Sequence, residues 1–413
     1  MFVSNHHTMT EQNDFFPVLA ATAAILEVSQ FYGQQSRGGI ASSRRREAIE
    51  TGEKWTTTVL SDEQFIYDYT RCRLDSFNHL LNFLENTTPP LTSGRRVSSA
   101  QKLLLFLHVC ATGIHFRIIR GTFQMSLGTV SRSFHEVLKS LVTLHLDEVK
   151  QPAPSAGVPR QIVADPKRMP FFRSCIGALD GSHIHCFVGG GDDQAPWRNR
   201  KGYLSQNVLA VCDFDGNFTY ILAGWEGSAH DGRVLTSTRE HGFGKSTPGR
   251  YYLADAGYSN SAIAMVPYRD VRYHLREQAA AQQRPKDKKE LFNLRHASLR
   301  NAIERAFGVL KKRFQIFDHA PQFDIDTQVE LVYALTALHN LLNRLQGALD
   351  IDDVEHNLDD DEDGEEEVRF EPEGRRRRRL KECEIMAKLR DKLAEDMWKD
   401  YQEVLERPQY RRR

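Results

Sequence analysis

Along the chain the apolar positions change rhythm twice. From Ser61, the stretch SDEQFIYDY and the residues after it place Phe65, Tyr69, Phe77, Leu80, Leu81 and Leu84 at roughly helical spacing, with Ser61 as the predicted N-cap and Gln64 three residues on. That run stops at Pro89 and Pro90. A second helix is predicted from Ser98 or Ser99 through Leu103, Leu104, Leu107 and Val109 to near Gly113. Next, FRIIRGTFQMSLGTVSRSFHEVLKSLVTLH reads as a short helix over Phe116 to Phe123, a tight turn at Gln124 to Ser126, and an amphipathic helix from Leu127. The last carries Val130, Phe134, Val137, Leu138 and Leu141 on one face. The spacing is that of a helix-turn-helix with Ser126 as N-cap. Thr129, Ser131 and Arg132 hold the exposed start of its second helix, where short polar groups and an arginine suit phosphate and base-edge contact. The same pattern fits two core helices of an all-α region, and both readings stand at this point.

After the Pro/Gly-rich linker Gln151 to Pro159 the rhythm becomes that of strands. FFRSCIGALDGSHIHCFV, NVLAVCDFDGNFTYILAG and RYYLADAGY are short β-rich runs separated by Gly/Asp turns, with helical patterns near His230 to Arg239 and from Ala297 to Phe314. Strands first and helices interleaved later predict an α/β domain preceded by an all-α region. The expected divisions are 1–60, an extension with one apolar run (Phe15 to Phe31) and a flexible Gly/Ser/Arg stretch (Gln34 to Arg46); 61–150, the helical region; 151–164, a linker; and 165–346, the α/β domain. An acidic then basic disordered linker over 347–379 and a charged helix and tail over 380–413 complete the chain.

Composition changes this picture in three places. The 413 residues are too many for one small module and suffice for a sizeable core. No run reaches about 18 uninterrupted apolar residues; the nearest, Phe15 to Val28, contains Pro17 and Glu27, so an intracellular protein without membrane association is expected. The six cysteines form no CxxC pair and read as reduced thiols. Formal charge is zero, with 55 basic and 55 acidic residues. Twelve of the acids lie between Asp350 and Glu367, so the remainder holds 55 basic against 43 acidic residues, a net +12 that favours a polyanionic partner.

Three acids are placed where chemistry is possible: Asp180 ends IGALD, Asp255 ends YYLAD, and Glu304 lies in NAIERAFGVLKKRF. Hard divalent cations bind such carboxylates, and a metal pair about 3.5–4 Å apart activates water and stabilises the leaving oxygen in phosphodiester cleavage. Composition alone favours plainer readings. Asp215-Gly216 is a hairpin turn, Asp180-Gly181 reads the same way, and Glu304 pairs with Arg300, its i−4 neighbour.

The blocks GALDGSHIH, RKGYLSQNVLAVCD, GSAHDGRVL, LADAGYS and RNAIERAFGVLKKRF, in this order, resemble the DDE transposase domain of the PIF/Harbinger type, including Harbinger-derived nuclease-like proteins of eukaryotes. The likeness runs from Phe171 to Leu345, and the upstream segment with GTVSR is similar to the one usually found before that domain. It implies an RNase H-like fold, a mixed central sheet flanked by helices. It further implies that Asp180, Asp255 and Glu304 are the catalytic triad and ligands of Mg²⁺ or Mn²⁺. The chemistry implied is hydrolytic nicking of DNA followed, in a full transposase, by attack of the freed 3′-hydroxyl on target DNA. Ser182 stands where Thr is usual, Ala254 and Ala256 replace the frequent Gly and Ser, and Glu226 replaces Pro; no carboxylate is lost.

Around the triad, Arg200, Lys201 and Tyr203 are placed to grip the DNA backbone. Arg300, Lys311, Lys312 and Arg313 line the Glu304 helix, with Lys311 at i+7 on nearly the same face. A solvated charged face is the alternative for these bases. Ile303, Phe307 and Leu310 are expected to pack the helix on the sheet. His183, three residues past Asp180, is a candidate to orient water or phosphate, and Asp231 is expected to cap the helix that begins there. The reading is a nuclear Harbinger-like transposase or derived nuclease acting on terminal repeats and target DNA. Expected companions are a Myb-like DNA-binding partner protein and further copies of the chain, and GRRRRRLK (Gly374 to Lys381) is the expected nuclear import signal. The alternative is a domesticated DNA- or chromatin-binding adaptor without turnover.

Overall fold

The computed structural model describes residues 42–240, 243–244, 247–269, 271, 284–347 and 373–407. The apolar run Phe15 to Phe31 and the acidic tract Asp350 to Glu367 lie outside the described residues. The chain divides into two compact units, 1–144 with 321–334, and 145–320 with 335–413.

The first unit is helical: α1 (Ser42–Leu60), α2 (Glu63–Thr70), α3 (Leu74–Asn86), α4 (Ser99–Thr112), α5 (Phe116–Thr122) and the start of α6 (Leu127–Glu148). Helix α4 is its centre. LLLFLHVCA leaves scarcely any polar face, and Leu103 through Leu107, Val109, Cys110 and Ala111 are all buried. A capping box between Ser98 and Gln101 opens the helix, and Gly113 closes it in the left-handed conformation at φ 66°. Against it lies an aromatic cluster, Phe106 on Phe134 at 4.8 Å and Phe134 on Phe323 at 5.3 Å. Phe106 and Phe134 are fully buried, each worth about 1.5–3 kcal/mol, and Phe323 is half-buried. Ser126 accepts a hydrogen bond from the Thr129 N–H at 3.2 Å, so α6 starts on the predicted cap.

Two boundaries differ from the sequence expectation here. Helix α1 already runs from Ser42, within the stretch expected to be flexible, because SSRRREAIE contains neither Gly nor Pro and is rich in helix formers. The cap of α2 is Asp62, whose Oδ1 accepts from Phe65 N at 2.8 Å, while the Ser61 hydroxyl donates back to Thr58 O and closes α1.

The second unit is built on one sheet of β1 (Cys175–His185), β2 (Ser205–Cys212), β3 (Phe218–Glu226), β4 (Tyr251–Leu253) and β5 (Ala264–Met265), in the order β3-β2-β1-β4-β5. Strands β1, β2 and β3 pair antiparallel; β1 with β4 and β4 with β5 pair parallel. The mixed α/β architecture is the expected one. The one-turn helix α7 (Arg160–Val163) precedes the sheet, and α8 (Asp231–Glu240) lies between β3 and β4 in sequence. Val234 and Leu235 of α8 pack with Leu179, Leu209 and Val211 on one face. Helix α9 (Lys288–Arg313) packs on β1 with Ile303 and Leu310 fully buried and Phe307 against Phe218 at 5.8 Å. With helices on both faces, β2 is buried along its whole length.

Asp215-Gly216 is the β2–β3 turn, with Gly216 at φ 82°. Asp180-Gly181 is not a turn. It lies inside β1, where Asp180 pairs with Ala210 and Gly181 with Leu209, so cross-strand pairing overrides the local turn preference. Helix α9 begins at Lys288, well before Ala297, because Asp287 caps it by accepting from the N–H groups of Lys289 and Glu290.

Two further helices follow. Helix α10 (Ile325–Gln346) went unanticipated, since VELVYALTALHNLL is apolar nearly all round and shows no amphipathic period. From its second half, Asn340 holds the start of β3, accepting from Phe218 N at 2.8 Å and donating to Phe218 O at 2.7 Å. Helix α11 (Glu373–Glu406) includes the basic run, which the sequence reading placed in a disordered linker; the pair Arg378–Glu382, one turn apart, supports the helix. This tail packs on its own unit, through buried Met386, Ala394 and Met397, the bond from Tyr268 to Asp391 at 2.6 Å, and Arg390 over the Tyr268 ring at 4.0 Å. All six cysteines are free thiols, and no helix among the described residues is long and apolar enough to cross a membrane.

Candidate active site

Side chains alternate across a strand, so Leu179 and Gly181 of β1 face α8 while Asp180 and Ser182 face α9. Asp180 therefore meets the helix that carries Glu304. Asp255 comes from the turn just past β4, where Tyr258 N donates to Asp255 O at 3.2 Å and Arg269 ties down the loop through Ala256 O and Tyr258 O. Parallel pairing of β4 with β1 puts that turn next to Asp180.

The three acids meet on one cation. Arg300 Nη1 donates to Asp180 Oδ2 at 3.1 Å, and Nη2 lies 3.9 Å from Asp255 Oδ1 while also pairing with Glu304 Oε1. Burial pushes the Asp180 carboxyl well above the ordinary carboxylate range; Arg300 opposes the shift, and Asp255, Asp231 and Glu304 add to it. Among the described residues no three His, Cys, Asp or Glu are arranged to hold a metal ion, and the Arg300 guanidinium bridges the carboxylates of Asp180 and Glu304. The donor set itself is all carboxylate oxygen, which fits a hard cation such as Mg²⁺ or Mn²⁺, and the guanidinium is a stand-in of the right sign.

The supporting residues divide. Lys311 reaches the strand, donating to Ser182 Oγ and His183 O at 3.2 Å each. Lys312 is exposed, as are Arg200 and Lys201. Arg200 donates to His230 Nδ1 at 2.6 Å, and Tyr203 stacks on His185 at 4.3 Å. His183 shares a hydrogen bond with Ser205 Oγ at 3.0 Å, on the sheet face opposite Asp180.

One expectation needs correction. Arg313 is fully buried, with its guanidinium on Asn343 Oδ1 and His339 O, so it is a core residue and not a DNA contact. It falls there because α9 turns its side toward α10 at this point. Asp231 is the first residue of α8, where His230 O accepts from Arg233 and Val234 N–H, and its carboxylate accepts from Asn207 Nδ2 at 2.6 Å. In the first unit, Arg132 is exposed and Thr129 and Ser131 are half-buried.

The sequence reading missed the reach of Arg300. Its spacing from Glu304 was visible, but its contacts with Asp180 and Asp255 require the tertiary packing of α9 on β1. Asn207 was missed as well; nothing in NVLAVCD marks it.

Residues 179–340 match the family described as DDE superfamily endonuclease. The chain is similar to the human protein named "Putative nuclease HARBI1", 25% identical over 268 residues, which is 62% of this chain and 70% of that protein. The Bos taurus protein of the same name is 25% identical over 261 residues, 61% of this chain and 69% of its own. Protein ALP1-like of Arabidopsis thaliana is 22% identical over 319 residues, 73% of each chain. The Harbinger-type resemblance read from the five sequence blocks is thereby borne out, and the family implies an RNase H-like fold for the sheet domain. Residues 47–143 match a family described as a domain of unknown function, DUF8040. No solved structure matches the chain significantly.

Proposed function

We propose that the chain is a Harbinger-like nuclease that hydrolyses DNA phosphodiester bonds with a divalent metal, Mg²⁺ or Mn²⁺, at Asp180, Asp255 and Glu304. The observation that carries this reading is the convergence of three carboxylates, from β1, the end of β4 and α9, on a single cationic group. Hard oxygen donors in that number are what a phosphodiesterase metal site uses, and the metal would supply an activated water and charge for the leaving oxygen. The protein's own part is to hold the three carboxylates on rigid elements, with Lys311 pinning the strand beside Asp180. Exposed Arg200, Lys201 and Lys312 meet the DNA backbone. Strand transfer by the freed 3′-hydroxyl belongs to the same reading as a second step.

Within it, α5, the turn at Gln124 and α6 act as a helix-turn-helix, with Arg132, Thr129 and Ser131 toward DNA. Nuclear localisation through the basic run, a Myb-like partner and self-association complete the proposal. Terminal repeats and target DNA are the proposed substrates.

The competing reading, a DNA-bound adaptor without turnover, draws on the Arg300 contacts, since the carboxylates already have a counter-ion. Incubating the full chain with supercoiled DNA and with its flanking terminal repeats, in Mn²⁺, Mg²⁺ or EDTA, separates the two. Metal-dependent nicks with 3′-hydroxyl ends are expected. DNA binding without nicks in either metal supports the adaptor.

A further inference from the structure

We propose that Arg300 is a tethered counter-ion held in the space a divalent cation would take, so that metal binds the carboxylates only by displacing it. The inference rests on the nuclease reading and adds a control element to that site. Arg300 is in ion-pair contact with Asp180, Asp255 and Glu304. Its two terminal nitrogens divide the work, Nη1 to Asp180 at 3.1 Å and Nη2 to Glu304 and toward Asp255. Lysine, a point charge, would not span these acids, whereas a planar fork does.

The location makes the contact more than a surface pair. The Arg300 side chain is 13% exposed and that of Glu304 16%, so the acids lie where water screens their mutual repulsion poorly. Other bases nearby are committed elsewhere: Lys311 to Ser182 and His183, Arg313 to Asn343 and His339. Arg300 also sits one turn before Glu304 on α9, so rotation of its side chain alone removes the charge without moving the helix. Its guanidinium and a divalent cation compete for the same oxygens, and the apparent metal affinity is reduced by the fraction of molecules in which the guanidinium has left.

The test is Mn²⁺ binding to the full chain, read from the signal of free Mn²⁺ by electron paramagnetic resonance, alongside thermal melts in EDTA and in Mn²⁺. Arg300→Met keeps the bulk and removes the charge. It is expected to bind Mn²⁺ at least about tenfold more tightly than the parent. Its melting temperature should fall in EDTA and be restored by Mn²⁺, since a ligand bound only by the folded state stabilises it. Asp180→Asn should weaken Mn²⁺ binding in either background. Equal Mn²⁺ affinity in parent and Arg300→Met, with Asp180→Asn still weakening both, overturns the inference and leaves the metal site standing. A melting temperature lowered equally with and without Mn²⁺ assigns Arg300 a purely structural role and also overturns it. Absence of Mn²⁺ binding in parent and variant alike removes the nuclease reading and the inference together. If Arg300→Met does not fold in either condition, Arg300→Lys decides: tighter Mn²⁺ binding than the parent is expected, and unchanged binding overturns the proposal.

Discussion

Gly181 and Asp231 touch through the space a side chain would need: a Cβ on Gly181 would stand 2.5 Å from Asp231 Oδ1. The Asp231 carboxylate has little room to yield, being held at 2.6 Å by Asn207 Nδ2 at the first turn of α8. Glycine is thus required inside β1 by a close approach rather than by its backbone angles. Gly181→Ala should destabilise the sheet unit by about 1–3 kcal/mol, the usual range for overpacking. Chemical denaturation of the single variants and of Gly181→Ala with Asp231→Ala checks this. Coupling in the double-mutant cycle is expected, and strict additivity would place the cost elsewhere.

The exposed and buried bases of α9 should behave oppositely. Lys312→Ala and, in α6, Arg132→Ala should weaken DNA binding. A phosphate contact lowers affinity across all sequences and reduces the salt slope by about one. A base contact from Arg132 costs about 1–3 kcal/mol and relaxes sequence preference. Arg313→Met should leave affinity and salt slope unchanged but lower stability by about 1–3 kcal/mol, because Asn343 and His339 lose a buried donor. Fluorescence anisotropy over a salt series measures the first two, and denaturant melts the third. Unchanged DNA affinity with Arg132→Ala would make α5 and α6 core helices only.

The two units carry titrations of opposite sign. Burial, with Asp324 and Asp326 nearby, pushes Glu330 of the helical unit up to about 7 from 4.5. The folded state then favours the protonated acid, so this contribution is full below pH 4.5 and is lost as pH rises through 7. In the sheet unit, burial and the Arg313 charge push His339 down to about 3 from 6.5. That contribution is full above pH 6.5 and is lost as pH falls toward 3. From pH 7 to pH 5, hydrogen-exchange protection, taken relative to the intrinsic rate at each pH, should rise around Glu330 and fall around His339, and Glu330→Gln should abolish the first change. The same direction of change in both units would contradict the assignment.

The run Gly374 to Lys381 is proposed as a nuclear import signal, with Arg376, Arg377 and Arg378 exposed on α11. A fluorescent fusion of the full chain with Arg375 to Arg379 changed to Ala should move to the cytoplasm. Full nuclear retention would assign import to another segment, such as Arg44 to Arg46.

Legibility in the sequence followed the range of the interactions involved. Local signals were enough for the helix start at Ser98 or Ser99, the Ser126 cap and the Asp215-Gly216 turn, since each depends on residues within four positions. Asp180-Gly181 carries the same dipeptide as that turn, yet it is strand, because Ala210 and Leu209 pair with it from a distant segment. Helix α10 was hidden by being buried on all sides, and Arg313 by standing beside truly exposed Lys312 in a run of like charge. The positions of the three carboxylates came from five ordered blocks rather than from periodicity. Their meeting at Arg300 came only from the packing of α9 on β1.

The most direct measurement of the central claim pairs DNA affinity and metal-dependent cleavage in one variant, Asp180→Asn, which keeps the shape of the side chain and removes its charge. DNA affinity should match that of the parent, while nicking in Mn²⁺ falls by orders of magnitude. Equal nicking by Asp180→Asn and parent would place the active site elsewhere and contradict the account.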